Sequence, residues 1–264
     1  MIKAGFIGCG NMGGVLAGAA AKSGMEVYGA DLDQEKLRRL QTASGVVPST
    51  TEEVAGGCDY IFLGVKPQMI HALAEQIRTI LGSRRDRFVV VSMAAGIPIS
   101  RIEEELGAYP VIRIMPNTPA AVGEGMILYS PSSAVTEEEE NTFLKLLANA
   151  GRIQKLDESK IDAACAISGC GPAFVCMFVE AMMDAGIRCG LTRDLAKLLS
   201  LQTVAGTARL ALGSDKDPAV LRGEVCSPAG STIEGVAALE ANGFRSALLD
   251  AVEAAYQRTL ELKD

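Results

Sequence analysis

The sequence predicts an α/β protein in two parts: an N-terminal doubly wound, mostly parallel sheet over residues 1–157, then an all-α domain over residues 158–264. Three observations carry this expectation. Strand-like apolar runs alternate with helical patterns through the first half, as βα units require. All β signals stop after residues 152–156. The opening strand runs straight into the glycine-rich stretch Gly8-Cys9-Gly10-Asn11-Met12-Gly13. With 264 residues, the chain is long enough for two modest domains and a sizeable core.

Residues 2–7 form the first apolar strand and residues 11–22 the first helix, so the three glycines fall on a strand-to-helix turn. Gly8 permits the tight turn, Gly10 removes a Cβ from the path of a pyrophosphate, and Gly13 lets helix and strand pack closely. The helix start then offers unpaired N–H groups and the positive dipole end to phosphate. This is the pattern of a Rossmann-type dinucleotide turn, although a plain tight connection uses glycine too.

Residues 26–31 are a second strand and residues 34–40 its helix. Asp31 stands where such folds set a carboxylate against the adenosine ribose; helix capping is the competing role, and Asp33 can supply that instead. A third strand, residues 59–65, delivers Val65, Lys66 and Pro67 to the carboxyl edge of the sheet, where ligands bind. Lys66 there either meets a cofactor phosphate or substrate, or is a solvated lysine before a helix begun by Pro67. The fourth strand, residues 88–92, leads into Met93-Ala94-Ala95-Gly96, small residues that let a nicotinamide or ribose approach the backbone. The fifth, residues 111–115, ends in Pro116-Asn117-Thr118-Pro119. Residues 125–129 are the sixth, and Thr136 caps a helix over residues 137–150 whose four leading glutamates suit its dipole rather than a metal. Residues 152–156 close the strands.

The second part reads as helices at residues 161–167, 173–188, 193–212, 218–225 and 233–263, the last broken near Gly243, with Thr192 and Asp217 as caps. Alanine, leucine and methionine occupy more than one face of the longer helices, which therefore need partners on several sides. An intertwined homodimer supplies them more completely than one small domain does.

The balance of 48% hydrophobic and 22% charged residues is that of a globular protein. A net charge of -7 argues against nucleic acid or an anionic membrane as partner. Residues 161–187 are apolar, yet Gly169-Cys170-Gly171-Pro172 interrupts them and Glu180 and Asp184 lie within, so no membrane span is expected. Met1 leads directly into the first strand without a secretory pattern, and seven scattered cysteines suit reduced thiols, so a cytoplasmic location is expected. The single histidine, His71, has no partner spacing for a metal site, and none is expected.

Two segments of the helical part are too unusual for plain connections. In residues 166–174 two glycines and Pro172 open a helix beside the Ser168 hydroxyl. Residues 226–233, Cys-Ser-Pro-Ala-Gly-Ser-Thr-Ile, make a hydroxyl-rich approach to another helix start, whose free N–H groups suit a carboxylate. Capping by Ser231 or Thr232 is the simpler role for those hydroxyls.

These residues resemble the pyrroline-5-carboxylate reductase family. The resemblance runs over essentially the whole chain, through Gly8–Gly13, Gly64-Val65-Lys66-Pro67, Met93–Gly96, Arg113-Ile114-Met115-Pro116-Asn117-Thr118-Pro119, Ser168–Ala173 and Ser227–Ile233. It implies reduction of the cyclic imine 1-pyrroline-5-carboxylate to L-proline, with a nicotinamide giving hydride to the C=N carbon. It implies a nucleotide held by Gly8, Gly10, Asn11, Met12, Gly13, Asp31, Val65, Lys66, Pro67, Ala94, Ala95 and Asn117. The substrate is implied to lie between the two halves, near Ser168, its carboxylate on the backbone of Gly230-Ser231-Thr232 and its ring nitrogen near the catalytic Thr232 hydroxyl. A homodimer is implied as well, with further assembly left open.

The chain departs from the family at two places. Ala229 replaces a glycine of the substrate turn, carrying strain if that position needs positive φ, and Ser231 replaces a threonine. NADPH is the family's common cofactor, whereas Asp31 favours NADH because a carboxylate repels a 2′-phosphate and accepts from ribose hydroxyls; neither Leu32 nor Asp33 supplies the usual arginine. Two other readings compete. A 3-hydroxyacid dehydrogenase would carry a lysine soon after the glycine pair, and none follows Gly169-Cys170-Gly171 here. A non-catalytic binder of nucleotide or proline is the second, opposed by the intact Thr232.

Overall fold

The computed structural model describes residues 2–261; Met1 and the expected helix end at Lys263 lie outside them. The chain divides into two compact units, one running to Cys170 and including the chain from Ala255 onward, the other Gly171–Ala254.

The first unit contains β1 Lys3–Ile7, α1 Asn11–Ala21, β2 Glu26–Ala30, α2 Gln34–Ser44, β3 Val47–Pro48, α3 Thr51–Gly57, β4 Tyr60–Leu63, α4 Ile70–Ser83, β5 Val89–Ser92, α5 Ile99–Leu106, β6 Val111–Met115, β7 Gly125–Pro131, α6 Glu137–Leu147, β8 Gly151–Lys155 and α7 Glu158–Ser168. Its sheet has the order β3-β2-β1-β4-β5-β6-β7-β8. Neighbours are parallel except β6 and β7. This is the mostly parallel, doubly wound sheet that the alternating pattern predicts. The chain between Met115 and Gly125 is too short for a parallel crossover, so β7 runs back beside β6.

Side chains of β1 alternate between two cores, as a strand buried on both faces requires. Phe6 joins Leu16, Phe62, Val91, Ile112 and Phe143 on one face, and its ring stacks on Phe62 with centroids 4.1 Å apart. Ile7 joins Ile61, Leu63, Ile77, Val90 and Ile102 on the other. The expected cap of α6 is present: Thr136 Oγ1 accepts the Glu139 amide at 3.3 Å, and Glu139 accepts the Thr136 amide at 2.8 Å. Glu139 and Glu140 pair with Arg87 and Lys155, and no cluster of three or more His, Cys, Asp or Glu side chains that could hold a metal ion occurs among the described residues.

The division at Cys170 lies beyond the expected boundary at Asp157 because α7 is bound into the sheet unit. Ile161 and Ala166 are fully buried, and Arg113 of β6 donates to Asp162 at 2.7 Å with both side chains about 2% exposed. Glu158 accepts from Arg113 at 3.4 Å and from the Ile99 amide at 2.7 Å.

The second unit holds α8 Gly171–Arg188, α9 Arg193–Leu212, α10 Pro218–Val225, α11 Ser231–Ala241 and the first turns of α12 Phe244–Glu261. Thr192 caps α9 by accepting the Leu195 amide, and Asp217 caps α10 by accepting the Ala219 amide. Gly243, at φ +72, breaks the last pair of helices where expected. The break at Gly169-Cys170 is shorter than expected, a two-residue turn before α8. By length and composition Glu158–Arg188 is long and apolar enough to cross a membrane, although its first part, α7, is packed in the sheet unit. Met177, Leu198, Leu210, Val225 and Leu249 are each more than 60% exposed. One copy of the chain leaves these apolar faces uncovered.

Candidate active site

Register builds the cofactor side. Ile7 pairs with Ala30 and with Leu63, and Leu63 with Ser92, so the residues that follow, Gly8, Asp31, Gly64 and Met93, stand in one row at the carboxyl edge. The strand order reverses beside β1, which is where doubly wound sheets bind ligands.

Each glycine of the turn has its own reason. Gly8 has φ +93, and a Cβ there would stand 2.8 Å from the Gly64 carbonyl group. A Cβ on Gly13 would overlap the Gly8 carbonyl oxygen. Gly10 would meet nothing within 4 Å, so its missing Cβ faces open space. Gly10 is also the N-cap of α1 and makes no side-chain cap, leaving the first amides of Asn11, Met12 and Gly13 for an anion. Open space, free amides and a helix start together fit a dinucleotide pyrophosphate.

Asp31 accepts the Cys9 amide through Oδ2 at 2.8 Å and the Asp33 amide through Oδ1 at 2.9 Å. The capping role goes to Asp33, which accepts the Glu35 and Lys36 amides. A cleft of about 650 Å³ opens here, lined by Gly8, Gly10, Asp31, Val65 and Lys66 together with Lys36, Ser49, Thr50, Thr51 and Gln76. None of the last five carries a sequence expectation; the spacing of Thr50 and Glu53, which form a capping box, is the signal that marks Thr50. Lys66 is exposed ahead of a 3-10 turn opened by Pro67. Ala94 is buried and Ala95 exposed after β5. Asn117 is committed inside the protein: its Oδ1 accepts the Met126 amide and its Nδ2 donates to the Ser168 carbonyl, both at 2.8 Å. Ser168 Oγ donates to the Ala164 carbonyl at 3.2 Å.

The second unit presents the other helix start. Gly230 is the N-cap of α11 at φ -81, ψ 164, and no side chain caps the helix; Ser231 and Thr232 therefore leave their hydroxyls out of that role. The Gly230 amide closes a turn onto the Ser227 carbonyl at 3.1 Å, and a Cβ on Gly230 would overlap Ser227 Oγ. Ala229 has φ +54, alone in positive φ among the described non-glycine residues. Ala229 therefore carries the strain that positive φ imposes on a residue with a Cβ.

Burial, with the Asp31 charge as a second cause, pushes Cys9 up to about 12, and burial pushes Cys165 up to about 11. All seven cysteines are free thiols.

Residues 158–262 match the family model described as pyrroline-5-carboxylate reductase dimerisation. Residues 3–96 match the model described as NADP oxidoreductase, coenzyme F420-dependent. Pyrroline-5-carboxylate reductase of Pisum sativum is 38% identical over 262 residues, covering 98% of this chain and 95% of its own length. That of Escherichia coli is 36% identical over 98% of both. The chain belongs to the pyrroline-5-carboxylate reductase family. A crystal structure of Plasmodium falciparum pyrroline carboxylate reductase with NADP bound aligns over 100% of both chains at 32% identity, with a TM-score of 0.89. The family's dimerisation model begins at residue 158, whereas the compact units divide at Cys170; α7 is the helix that lies between the two boundaries.

Proposed function

We propose that this chain reduces 1-pyrroline-5-carboxylate to L-proline with a reduced nicotinamide dinucleotide. The observation that carries the proposal is that the chain has two uncapped helix starts of different kinds, one in each unit. That of α1 faces open space behind a glycine turn, and that of α11 carries Ser231 and Thr232. The first suits a pyrophosphate and the second a carboxylate.

Gly8, Gly10, Asn11, Met12 and Gly13 hold the pyrophosphate, Asp31 the adenosine side, and Val65, Lys66, Pro67, Ala94 and Ala95 the edge toward the nicotinamide. When bound, the reduced nicotinamide supplies the hydride that the imine carbon accepts. The amides of Gly230, Ser231 and Thr232 bind the substrate carboxylate, and Ser168 is a further substrate residue. The Thr232 hydroxyl holds the ring nitrogen, whose proton makes the imine a better hydride acceptor. The protein's main contribution is orientation, an effect worth roughly 7–11 kcal/mol when two reacting groups are well aligned.

NADH is preferred, because Asp31 puts a carboxylate at the end of β2. NADPH remains a usable second cofactor, supported by Lys36 on the same cleft. The working form is a cytoplasmic homodimer that covers the apolar residues exposed on the second unit. The test follows nicotinamide oxidation by purified protein with 1-pyrroline-5-carboxylate and each cofactor, assaying proline as product. Oxidation without proline, or silence from protein that binds nucleotide, refutes the reading.

A further inference from the structure

Ser168 ends α7, and its carbonyl would look four residues ahead for a helical N–H. That residue is Pro172, which has none. The backbone continues as helix after a two-residue turn, so the proline orphans one carbonyl at a bend that must keep its shape. Asn117 Nδ2 meets that carbonyl at 2.8 Å. Its Oδ1 accepts the Met126 amide at the same distance, so the two partners fix which way the amide points. Asn117 is 9% exposed, and Gly169 allows the close bend, since a Cβ there would stand 2.6 Å from Cys165 Sγ.

We infer that Asn117 is a positioning residue rather than a nucleotide contact: its carboxamide replaces the N–H that Pro172 lacks and pins the Ser168–Cys170 turn to the ends of β6 and β7. The inference rests on the proposed function in one respect, the placing of substrate beside Ser168. The latch holds that wall of the substrate site while the nucleotide turn at Gly8–Gly13 stands apart from it in the sheet.

The test compares Asn117→Asp, Asn117→Ala and Asn117→Ala with Pro172→Ala. Asn117→Asp keeps an acceptor for Met126 and loses the donor to Ser168. Both single variants are expected to raise KM for the imine about tenfold, the effect of about 1.4 kcal/mol. Nucleotide Kd, read by fluorescence titration, is expected to stay within about twofold. The double variant is expected to recover much of the KM, because Pro172→Ala returns a backbone N–H to the Ser168 carbonyl. Hydrogen exchange across residues 165–173 is expected to quicken in Asn117→Asp and to slow again in the double variant, a readout that needs no turnover. A weakened nucleotide Kd with unchanged imine KM overturns the inference, as does unchanged exchange or an absence of rescue. If the wild-type protein itself fails to reduce the imine, the proposed function fails while exchange still judges the latch.

Discussion

Asp31 Oδ2 accepts the Cys9 amide at 2.8 Å, so the residue that follows β2 also braces the glycine turn that follows β1. Geometry and charge are thus joined in one carboxylate. Two unit charges 4 Å apart near a protein surface interact by about 4 kcal/mol, the scale on which the proposed preference for NADH rests. Asp31→Asn keeps an oxygen for Cys9 and removes the charge, and should raise the NADPH-to-NADH ratio of kcat/KM about tenfold. Asp31→Ser should shift the ratio the same way and weaken both nucleotides, because it lacks the reach to hold Cys9 and Asp33 together. An unaltered ratio in both variants would leave Asp31 as a brace alone.

Thr232 lies in the first turn of α11 with its hydroxyl free of capping. Thr232→Ala should lower kcat for the imine by about tenfold, the scale of one lost hydrogen bond, with nucleotide Kd unchanged. Thr232→Ser should retain most of the turnover. Steady-state kinetics with nucleotide titration checks both, and full activity in the alanine variant would remove Thr232 from the chemistry.

Ala229 sits at φ +54, where an L-residue with a Cβ costs about 1–2 kcal/mol. Ala229→Gly should raise stability by about 1 kcal/mol and Tm by roughly 2–4 °C. Differential scanning calorimetry reads this directly; an unchanged or lower Tm would mean that glycine's greater freedom in the unfolded chain offsets the relief.

Glu105 on α5 is nearly buried and meets His71 Nδ1 at 2.8 Å and Arg101 at 2.8 Å. The His71 hydrogen bond, ahead of the two arginine charges, holds its carboxyl below the usual glutamate range. A depressed folded-state value stabilises the fold above the unfolded value of about 4.3 and is lost as pH falls through the folded one. Glu105→Gln should therefore lower the urea midpoint at neutral pH and differ less from wild type below about pH 4. A gap independent of pH would count against this account.

Much of the sheet unit was legible because its signals are local. Gly8, Gly10 and Gly13 declare a turn whose three separate steric needs the backbone then displays, and the caps at Thr136, Thr192 and Asp217 follow from one side chain each. What escaped was short or distant. β3 has two residues and α3 seven, too few for a period to emerge, and the direction of β7 is set by the length of its connection. Asp31 looked like a ribose ligand or a cap, while its bond to Cys9 depends on a pairing of β1 with β2 that spans 22 positions. Asn117 read as part of a cofactor motif, yet its partners at Met126 and Ser168 exist only once β7 and α7 are packed.

Arg113 and Asp162 are the pair least visible in the sequence, 49 positions apart and each about 2% exposed. Arg113 Nε has no hydrogen-bond partner among the described residues, so one donor of the buried guanidinium is unsatisfied. Such a pair adds little net stability over apolar packing, but removing one member alone leaves the other a buried charge with fewer partners, which is destabilising. Arg113→Met and Asp162→Asn should each be destabilising in denaturant unfolding, by up to about 3–5 kcal/mol, with Asp162→Asn the milder because Glu158 still accepts from Arg113. Arg113→Met combined with Asp162→Leu should recover most of it. The surviving question is what the pair does for α7, since a hydrophobic seat would hold the helix without fixing its turn. The apolar double variant should therefore be stable yet show faster hydrogen exchange at the Ser168 end of α7. Stability restored with exchange at the wild-type rate would show that the ion pair fixes nothing beyond its own charges.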